Sequence, residues 1–407
     1  MANKFKKRRD KILNKYLKEK EAFLIIGEKN LGGKPFKINS NILYLTGIKE
    51  ENNILLLFKG KGGKKKEILI IQNKNPDREK WEGIRLGKEK AKEISGIDKV
   101  EYLKNRDNVI AGVLNKMETV YINYKNESTL SKKNNKRKSF IRDIKYNFPH
   151  LDVKNSTEIM KKLRTVKDDS EVKLIKKAIE ITKEALYYTW ENIEPGMREY
   201  EVKAMINYQI KKRGAKIAFN TIVAGGPNGV ILHYPDGDRK LKKNDLLLFD
   251  VGARWKGYSA DISRTVPVSG KFSKSQKEIY EIVLKTNKQS IKNVEVGKTL
   301  KDIANEAKEI LKKGLKSLDL IDKDEELKKY YYHSIGHHLG LDTHDLSFKS
   351  EQLKERAVIT IEPGLYIKEK DVGIRIEDDV LVDENEVVNL SENIAKETDE
   401  IESIMNK

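Results

Sequence analysis

Four of the six histidines in this 407-residue chain lie in one short segment, YYHSIGHHLGLDTHD, at residues 331–345. They are His333, His337, His338 and His344. Imidazole groups bind metal ions and exchange protons near neutral pH, so such a cluster indicates metal or proton chemistry. The cluster alone does not distinguish between these two uses.

Four acidic residues lie in segments that otherwise have the pattern of buried strands. A carboxylate in a buried strand is costly unless Arg or Lys pairs with it, a proton neutralises it or a cation binds it. The segments are DLLLFDVG, ADISRTV, VITIEPG and GIRIEDD, and the acids are Asp250, Asp261, Glu362 and Glu377.

Three of these acids have ordinary explanations when each is taken alone. Asp250 and Glu362 precede turn-forming residues, and Glu377 can pair with a nearby arginine. Asp261, between two apolar neighbours, is the hardest to explain in this way. Metal cations would compensate all four carboxylates together, and His337 would then supply a nitrogen ligand.

The net charge of +19 comes from 82 Lys and Arg residues against 63 Asp and Glu residues. A nucleic-acid surface is one interpretation, but only 15 of the basic residues are Arg, which specific readout prefers. The lysines are also scattered, and the densest runs, KGKGGKKKE (59–67) and SKKNNKRKSF (131–140), are predicted to be a hairpin tip and a loop. We therefore favour a solvated Lys-rich surface without a specific nucleic-acid partner.

Some classes of protein are excluded by what the sequence lacks. The chain has no cysteine, so it forms no disulfide and uses no thiolate in catalysis. Its N-terminal segment is basic without an apolar core, and no apolar run approaches the length of a membrane span. The sequence thus predicts a cytoplasmic protein without a membrane partner.

Two domains are predicted from the patterns along the chain. Residues 1–155 combine a helical segment, GKEKAKEISGI, with several apolar strand-like segments, which predicts a non-catalytic α/β domain. Those strand-like segments are EAFLIIGE, NILYLTGI, NILLLF, EILIIQ and TVYINY. Residues 156–407 begin with a long amphipathic helical region and contain the acid-bearing strands, which predicts an α+β domain with a mainly antiparallel sheet.

The acids and His337, taken in chain order, resemble the five-ligand site of the dinuclear "pita-bread" metallopeptidases. Within that group, the local motifs resemble the bacterial aminopeptidase P (Xaa-Pro aminopeptidase) family most closely. The segments NSNILYLTGI and WEGIRLG resemble its non-catalytic domain. The catalytic-domain motifs are NTIVAGGPNGVILHY, DLLLFDVGARWKGYSADISRTVPV, HSIGHHLGLDTHD, IEPGLYI and GIRIEDD. The resemblance covers nearly the whole chain and implies a pita-bread fold for the second domain.

The resemblance also implies a role for each ligand. Asp261 and Glu377 would bridge two divalent metal ions, Asp250 would bind one of them, and His337 with Glu362 would bind the other. Four carboxylates and one imidazole form an oxygen-rich set that suits Mn²⁺, although Co²⁺, Fe²⁺ and Zn²⁺ are also accepted by such sets.

Further residues take roles near the substrate by the same resemblance. His233, His333 and His344 would orient the substrate, donate hydrogen bonds or move protons, and Arg375 would brace the bridging carboxylate of Glu377. His338 is expected to be structural. The implied reaction is attack by a metal-activated hydroxide on the peptide carbonyl before proline, with Glu362 passing a proton to the leaving nitrogen.

The implied partners are peptides with proline in second position and further copies of the chain. Close relatives form dimers or tetramers, in which an aromatic side chain of the N-terminal domain approaches a neighbour's active site. Trp81, in EKWEGIRLG, lies in the corresponding motif. The alternative is an ordinary surface Trp that packs within its own domain.

Two alternative functions remain open from the sequence. A prolidase would cleave only Xaa-Pro dipeptides and would need a cationic clamp for the C-terminal carboxylate of the substrate. The short segment 368–372 removes one usual position for such an arginine. A metal-free binding module on this fold, with the positive charge serving a nucleic-acid partner, is disfavoured because all five ligands are present.

Overall fold

The computed structural model describes residues 2–27, 38–123, 136–235, 237–347, 351–384 and 386–406. The chain divides into two compact units, Met1–Leu163 and Arg164–Lys407. Within the described ranges, no helix has both the length and the apolar character needed to cross a membrane.

The first unit is built on one six-stranded mixed sheet with the strand order β4-β3-β2-β1-β5-β6. The pairs β1–β2 and β2–β3 are antiparallel, whereas β3–β4, β1–β5 and β5–β6 are parallel. Apolar side chains of the sheet and of one helix form the core, among them Leu24, Leu56 and Ile110. The strands are β1 Glu21–Ile26, β2 Ile54–Lys59, β3 Lys65–Ile71, β4 Val100–Tyr102, β5 Thr119–Ile122 and β6 Asp152–Asn155.

Helices accompany this sheet, so the predicted α/β class is confirmed for the first unit. They are α1 Ala2–Lys11, α2 Ser40–Thr46, α3 Pro76–Glu82, α4 Lys88–Ser95, α5 Arg106–Leu114, α6 Lys136–Asn147 and α7 Thr157–Thr165, the last of which contains the division between the units.

The prediction of a strand at NILYLTGI is wrong. The segment NILYLTGI forms helix α2 because Asn39 caps it, accepting hydrogen bonds from the backbone N–H groups of Asn41 and Ile42. Gly47 ends the helix in the left-handed region, with φ of 74°. A short apolar run is compatible with either a strand or a helix, and here the caps determine the outcome.

The two Lys-rich runs have different outcomes. Residues 59–67 form the tip and flanks of the hairpin between β2 and β3, as predicted. In the second run, residues 131–135 lie outside the described residues, and residues 136–140 belong to helix α6. The loop prediction is therefore wrong for that second part.

The long helical region predicted from its amphipathic pattern is divided into α7 and α8, of which only α8 lies wholly in the second unit. Helix α8 starts at a capping box in which Asp168 accepts a hydrogen bond from the backbone N–H of Glu171. The described helices of this unit after α7 are α8 Asp169–Trp190, α9 Glu199–Lys212, α10 Lys274–Lys292, α11 Leu300–Ser317 and α12 Thr398–Met405.

The described strand pairs of the second unit are all antiparallel, which confirms the α+β prediction. The sheets have the orders β11-β10-β7, β12-β9-β8, β13-β16-β17 and β14-β15. Their strands are β7 Lys216–Ile217, β8 Ile222–Gly225, β9 Leu246–Val251, β10 Ala253–Trp255, β11 Tyr258–Ser259, β12 Ile262–Pro267, β13 Val358–Ile361, β14 Gly364–Ile367, β15 Val372–Arg375, β16 Asp378–Leu381 and β17 Val388–Asn389.

Helices α10 and α11 supply apolar side chains to the core beneath the acid-bearing strands. Ile291, Ile303 and Ala307 cluster with Ile359 of β13 and Val380 of β16, and all five are buried. The apolar residues of these strands therefore pack against the two helices. The acidic residues of the strands do not belong to this core and are available to form a site.

Candidate metal centre

Two of the predicted ligands come from the antiparallel pair β9–β12. Asp250 lies in β9 opposite Ser263, and Asp261 immediately precedes β12. Between the two acids, Gly252 passes so close to Ala260 that a Cβ on Gly252 would lie 2.0 Å from the Ala260 carbonyl oxygen. The glycine therefore permits the close approach of the two segments that carry these acids.

His337 lies in a loop that runs along β13. The backbone N–H of Thr360 donates to the His337 carbonyl at 2.8 Å, and the His337 N–H donates to the Thr360 hydroxyl at 3.1 Å. A Cβ on the preceding Gly336 would lie 1.9 Å from the Thr360 carbonyl oxygen. Glu362 follows directly after β13, and its N–H donates to the Ile335 carbonyl at 2.8 Å.

Glu377 lies between β15 and β16 and is almost fully buried. Its backbone N–H donates to the Ser263 carbonyl at 3.0 Å, and the Ser263 hydroxyl donates to Glu377 Oε2 at 2.8 Å. The second acid-bearing strand pair is thereby joined to β12.

The structure brings predicted ligands from all of these segments into mutual proximity. Ligand atoms of Asp261, His337 and Glu377 lie within 4.8 Å of one another. His337 Nε2 is 3.4 Å from Asp261 Oδ2 and 3.8 Å from Glu362 Oε1. Asp250 is outside that group of three, and its carboxylate acts electrostatically on Asp261.

The carboxylates raise one another's pKa values. Burial raises the pKa of Asp261 well above its ordinary value, and Asp250 adds to this effect. Burial likewise raises the pKa of Glu377, with Asp261 and Glu362 contributing. The pKa of Glu362 is raised mainly by burial, although His337 opposes the shift. A bound cation would offset the repulsion between these carboxylates and stabilise their ionised forms.

The unsatisfied polar atoms of the site fit a metal. Asp250 Oδ1 is buried and has no hydrogen-bond partner in the described structure. His337 Nδ1 lies 3.1 Å from the His338 carbonyl, which can only accept. Nδ1 therefore carries the proton, and the Nε2 lone pair faces the carboxylates, as in metal-binding histidines generally.

Arg375 contacts a different ligand from the one expected. Its Nη2 donates to Asp250 Oδ2 at 2.7 Å, and its Nε donates to the Ser263 hydroxyl at 2.8 Å. The guanidinium therefore braces Asp250 directly and is linked to Glu377 through Ser263.

The other histidines of the predicted site differ in their surroundings. The ring of His344 lies 4.3 Å from that of His337, measured between centroids. His333 contacts Tyr366, and burial lowers the pKa of His333 to about 4. His233 acts electrostatically on both His333 and His344. His338 is buried, and burial lowers its pKa to about 4, which agrees with a structural residue.

Some supporting residues were missed in the sequence. Ser263 had a signal, because it lies two residues after Asp261, and alternate residues of a strand share a face. The pair Arg164 and Lys167 had no such signal. Both are buried, and both form ion pairs with Asp345, the residue that follows His344. They fix the end of the histidine-rich loop from the end of α7 and the segment just after it, which are distant in the sequence.

Comparison with known proteins extends these observations to the whole chain. Residues 173–384 match the metallopeptidase family M24, and residues 5–121 match the aminopeptidase P N-terminal domain. Xaa-Pro aminopeptidase 3 of Dictyostelium discoideum is 34% identical over 405 residues, which cover 91% of this chain and 76% of the relative.

A solved structure and a second enzyme class were also matched. The structure of Escherichia coli aminopeptidase P with the inhibitor Pro-Leu has a TM-score of 0.89 and 30% identity, covering 100% of this chain and 98% of that one. The Xaa-Pro dipeptidase of Pyrococcus furiosus is 36% identical over 275 residues, which cover 66% of this chain and 75% of the relative. The chain therefore belongs to metallopeptidase family M24, has the N-terminal and pita-bread domains of aminopeptidase P, and is a metalloexopeptidase rather than a metal-free binding module.

Proposed function

We propose that this metallopeptidase is an Xaa-Pro aminopeptidase, which removes the N-terminal residue of peptides whose second residue is proline. The observation that carries the proposal is similarity to aminopeptidase P over both domains, including residues 5–121. The match to the dipeptidase covers a smaller part of the chain. The connection between β14 and β15, residues 368–371, also contains no arginine that could clamp the carboxylate of a dipeptide.

The proposed metal ligands are Asp250, Asp261, His337, Glu362 and Glu377, and the proposed metals are two Mn²⁺ ions. The support is the oxygen-rich donor set together with the unpartnered buried oxygen of Asp250. Divalent ions, when bound, lower the pKa of a water molecule and polarise the peptide carbonyl.

The chain's own residues bind the peptide and move the proton. His233 and His344 are proposed to orient the scissile carbonyl, and with Tyr366 they surround the proline ring. Glu362 is proposed to pass a proton to the proline nitrogen as that nitrogen leaves. This assignment is supported by position, because Glu362 Oε1 lies 3.8 Å from His337 Nε2, within the proposed metal centre.

The remaining assignments concern the domain boundaries, the localisation and the oligomeric state. Residues 1–155 are proposed as the non-catalytic domain and residues 156–407 as the catalytic domain. We also propose a cytoplasmic homo-oligomer without a specific nucleic-acid partner. The 90% exposed side chain of Trp81 supports an interface, because this residue does not pack within its own unit.

A metal assay followed by a peptide panel tests the function. The purified protein is depleted with a chelator, reloaded with Mn²⁺ and given an Xaa-Pro dipeptide, an Xaa-Pro-Xaa tripeptide and the matching Xaa-Ala-Xaa tripeptide. We expect metal-dependent release of the first residue from the Xaa-Pro-Xaa tripeptide and little cleavage of the alanine control. Cleavage of the dipeptide alone would instead identify a prolidase.

A further inference from the structure

We propose that a lysine-rich groove in the first unit binds an acidic, extended segment of a partner protein, which adds to the sheet as a strand beside β3. The groove has a volume of about 1280 Å³ and is lined by residues from the segments 6–20, 58–68, 96–101 and 105–117. The first unit contains none of the proposed metal ligands, so this binding site is independent of the proposed peptidase reaction.

Part of β3 lies at an open edge of the sheet. The strand spans Lys65–Ile71, but β4 pairs only with residues 69–71. On the side away from β2, no strand of the described structure lies beside residues 65–68. All four of these residues line the groove. An extended peptide completes such an edge through main-chain hydrogen bonds, and the side chains of the groove then select its sequence.

The groove carries an excess of positive charge, because eight lysines and four acidic residues line it. Three of the acids already have a cation at 3.0 Å, namely Asp10 with Lys6, Glu67 with Arg9 and Glu101 with Lys88. Six of the lysines form no ion pair with any described residue, and these are Lys61, Lys64, Lys65, Lys66, Lys99 and Lys116. Charge complementarity therefore favours an acidic occupant.

The floor of the groove is apolar, which distinguishes a peptide from a nucleic acid. Four buried side chains of the core between the sheet and α5 also line the groove: Phe58, Ile68, Val113 and Met117. Phe58 lies opposite Lys66 in the β2–β3 pair, so a lysine and this apolar surface share one face of the sheet. A sugar–phosphate backbone has no apolar side chain for such a floor. A peptide that alternates acidic and apolar residues supplies both kinds of contact.

The lysines also exclude a second copy of this chain from the edge. Lysines on an edge strand commonly prevent association of one sheet with another, which is the simplest explanation for their presence here. This protection acts by repulsion against other copies of a chain with a net charge of +19. An acidic strand experiences attraction instead. The charge that prevents self-association through β3 therefore favours the proposed partner.

Fluorescence anisotropy with the full-length protein and a labelled peptide tests the binding. The probe alternates Glu and Val over about six residues, the usual length of a strand, and is N-acetylated so that it is not an aminopeptidase substrate. We expect saturable binding that weakens as salt is added, and no binding of the matching Lys–Val peptide. A peptide N-methylated at alternate residues should bind more weakly, because it lacks main-chain donors.

A matched pair of variants then locates the site. Lys66→Glu should weaken binding of the Glu–Val peptide by roughly tenfold, because it places a carboxylate in the groove. Lys90→Glu makes the same change of net charge at an exposed residue of α4 outside the groove, and it should bind the peptide like the wild type.

Equal affinities of the two variants for the peptide would overturn the proposal. The N-methylated peptide is measured on the wild type, so equal affinity for the methylated and unmethylated peptides would overturn strand addition even if a variant failed to fold. A single-stranded oligonucleotide of similar charge that bound as tightly as the Glu–Val peptide would overturn the assignment of a peptide partner, because the apolar floor would then contribute nothing.

Discussion

Arg375 Nη2 lies 2.7 Å from Asp250 Oδ2, although in the chain Arg375 is only two residues before Glu377. The link to Glu377 passes through the Ser263 hydroxyl, which accepts from Arg375 Nε and donates to Glu377 Oε2. One guanidinium therefore connects two strand pairs. Its positive charge offsets part of the repulsion among the carboxylates. A bound metal ion would neutralise the negative charge that remains.

The first prediction is that Asp261→Ala removes both metal and activity while the fold is retained. Asp261 is buried, and both burial and the neighbouring carboxylate of Asp250 raise its pKa, so its charge depends on a bound cation. We expect kcat/KM to fall by more than roughly 100-fold, the usual upper limit for residues that only support a ligand. Metal analysis and far-UV circular dichroism are measured together. Asp77→Asn, on an exposed helix of the first unit, is the control.

A variant Asp261→Ala that kept bound metal and most of its activity would show that the ligand assignment is wrong. Loss of the far-UV signal would mean that the residue supports the fold, and the isosteric Asp261→Asn would then replace it in the same assay.

The second prediction separates the histidines by metal content. His337→Ala should lower metal occupancy, because the Nε2 lone pair faces Asp261 and Glu362. His233→Ala and His344→Ala should keep the metal and lose turnover, by roughly 100-fold for a group that positions or protonates the substrate. Metal per chain and kcat are measured for all three. Equal metal loss in the three variants would contradict this division of roles.

The third prediction is that stabilisation by metal grows with pH. Without metal, the folded-state pKa values of Asp261 and Glu377 lie above their ordinary values of 3.8 and 4.5, because burial and neighbouring carboxylates disfavour the charge. The folded chain then binds more protons than the unfolded chain, so its free energy of unfolding falls as pH rises above those ordinary values. The metal binds the deprotonated carboxylates and acts in the opposite direction.

Thermal unfolding with chelator and with Mn²⁺, between about pH 5 and about pH 8, measures this effect. At about 100 times the dissociation constant, metal should add about 2.7 kcal/mol to the free energy of unfolding. The difference in Tm between the two conditions should increase with pH, and Asp261→Asn should abolish the increase. A difference that is constant across the range would contradict the prediction.

The fourth prediction concerns the buried ion pair beside the site. Asp378 lies 2.7 Å from Arg264 Nη2 and 2.6 Å from Lys396 Nζ, and both Asp378 and Arg264 are fully buried. Burial alone would raise the pKa of Asp378, but Arg264 and Lys396 more than reverse this and hold it well below its ordinary value. This contribution to stability is present above that ordinary value of 3.8 and is lost as pH falls below it.

Asp378→Asn should therefore lower the free energy of unfolding by about 3–5 kcal/mol, because it leaves a buried cation uncompensated. Urea denaturation at neutral pH measures the loss. Asp399→Asn breaks an exposed pair with Lys277 and should leave the unfolding midpoint nearly unchanged. Similar midpoints for the two variants would show that the buried pair is not required.

The sequence was most informative where local pattern and burial agree. The acid-bearing strands are identifiable because a carboxylate in an apolar strand needs a compensating partner. Helix α2 is not identifiable in this way, since its short apolar run fits both a strand and a helix, and the cap at Asn39 decides between them. The bracing of Asp250 by Arg375, and the tie between Asp345 and Arg164, join residues far apart in the chain. Such contacts depend on how the strands and helices pack, which periodicity does not specify.

The last prediction concerns assembly through the first unit. Trp81 is 90% exposed and Ile84 is 86% exposed, at and just after the end of helix α3. Two large apolar side chains so close together in sequence and so exposed indicate a contact surface. The net charge of +19 opposes association of two copies at long range, and salt screens that repulsion over about 10 Å at 0.1 M ionic strength. We therefore expect a homo-oligomer whose population rises with ionic strength.

Sedimentation of the wild type at low and moderate salt tests the assembly, and Trp81→Ala tests the surface. This variant should shift the population toward the monomer and raise KM for longer Xaa-Pro peptides, with metal content unchanged, because a neighbour's aromatic side chain is expected near the substrate cleft. Tyr146→Ala is the matched control, since Tyr146 is an aromatic residue of the same unit with 84% exposure. A monomer at every salt concentration, with identical kinetics for Trp81→Ala and Tyr146→Ala, would leave Trp81 as an ordinary surface residue.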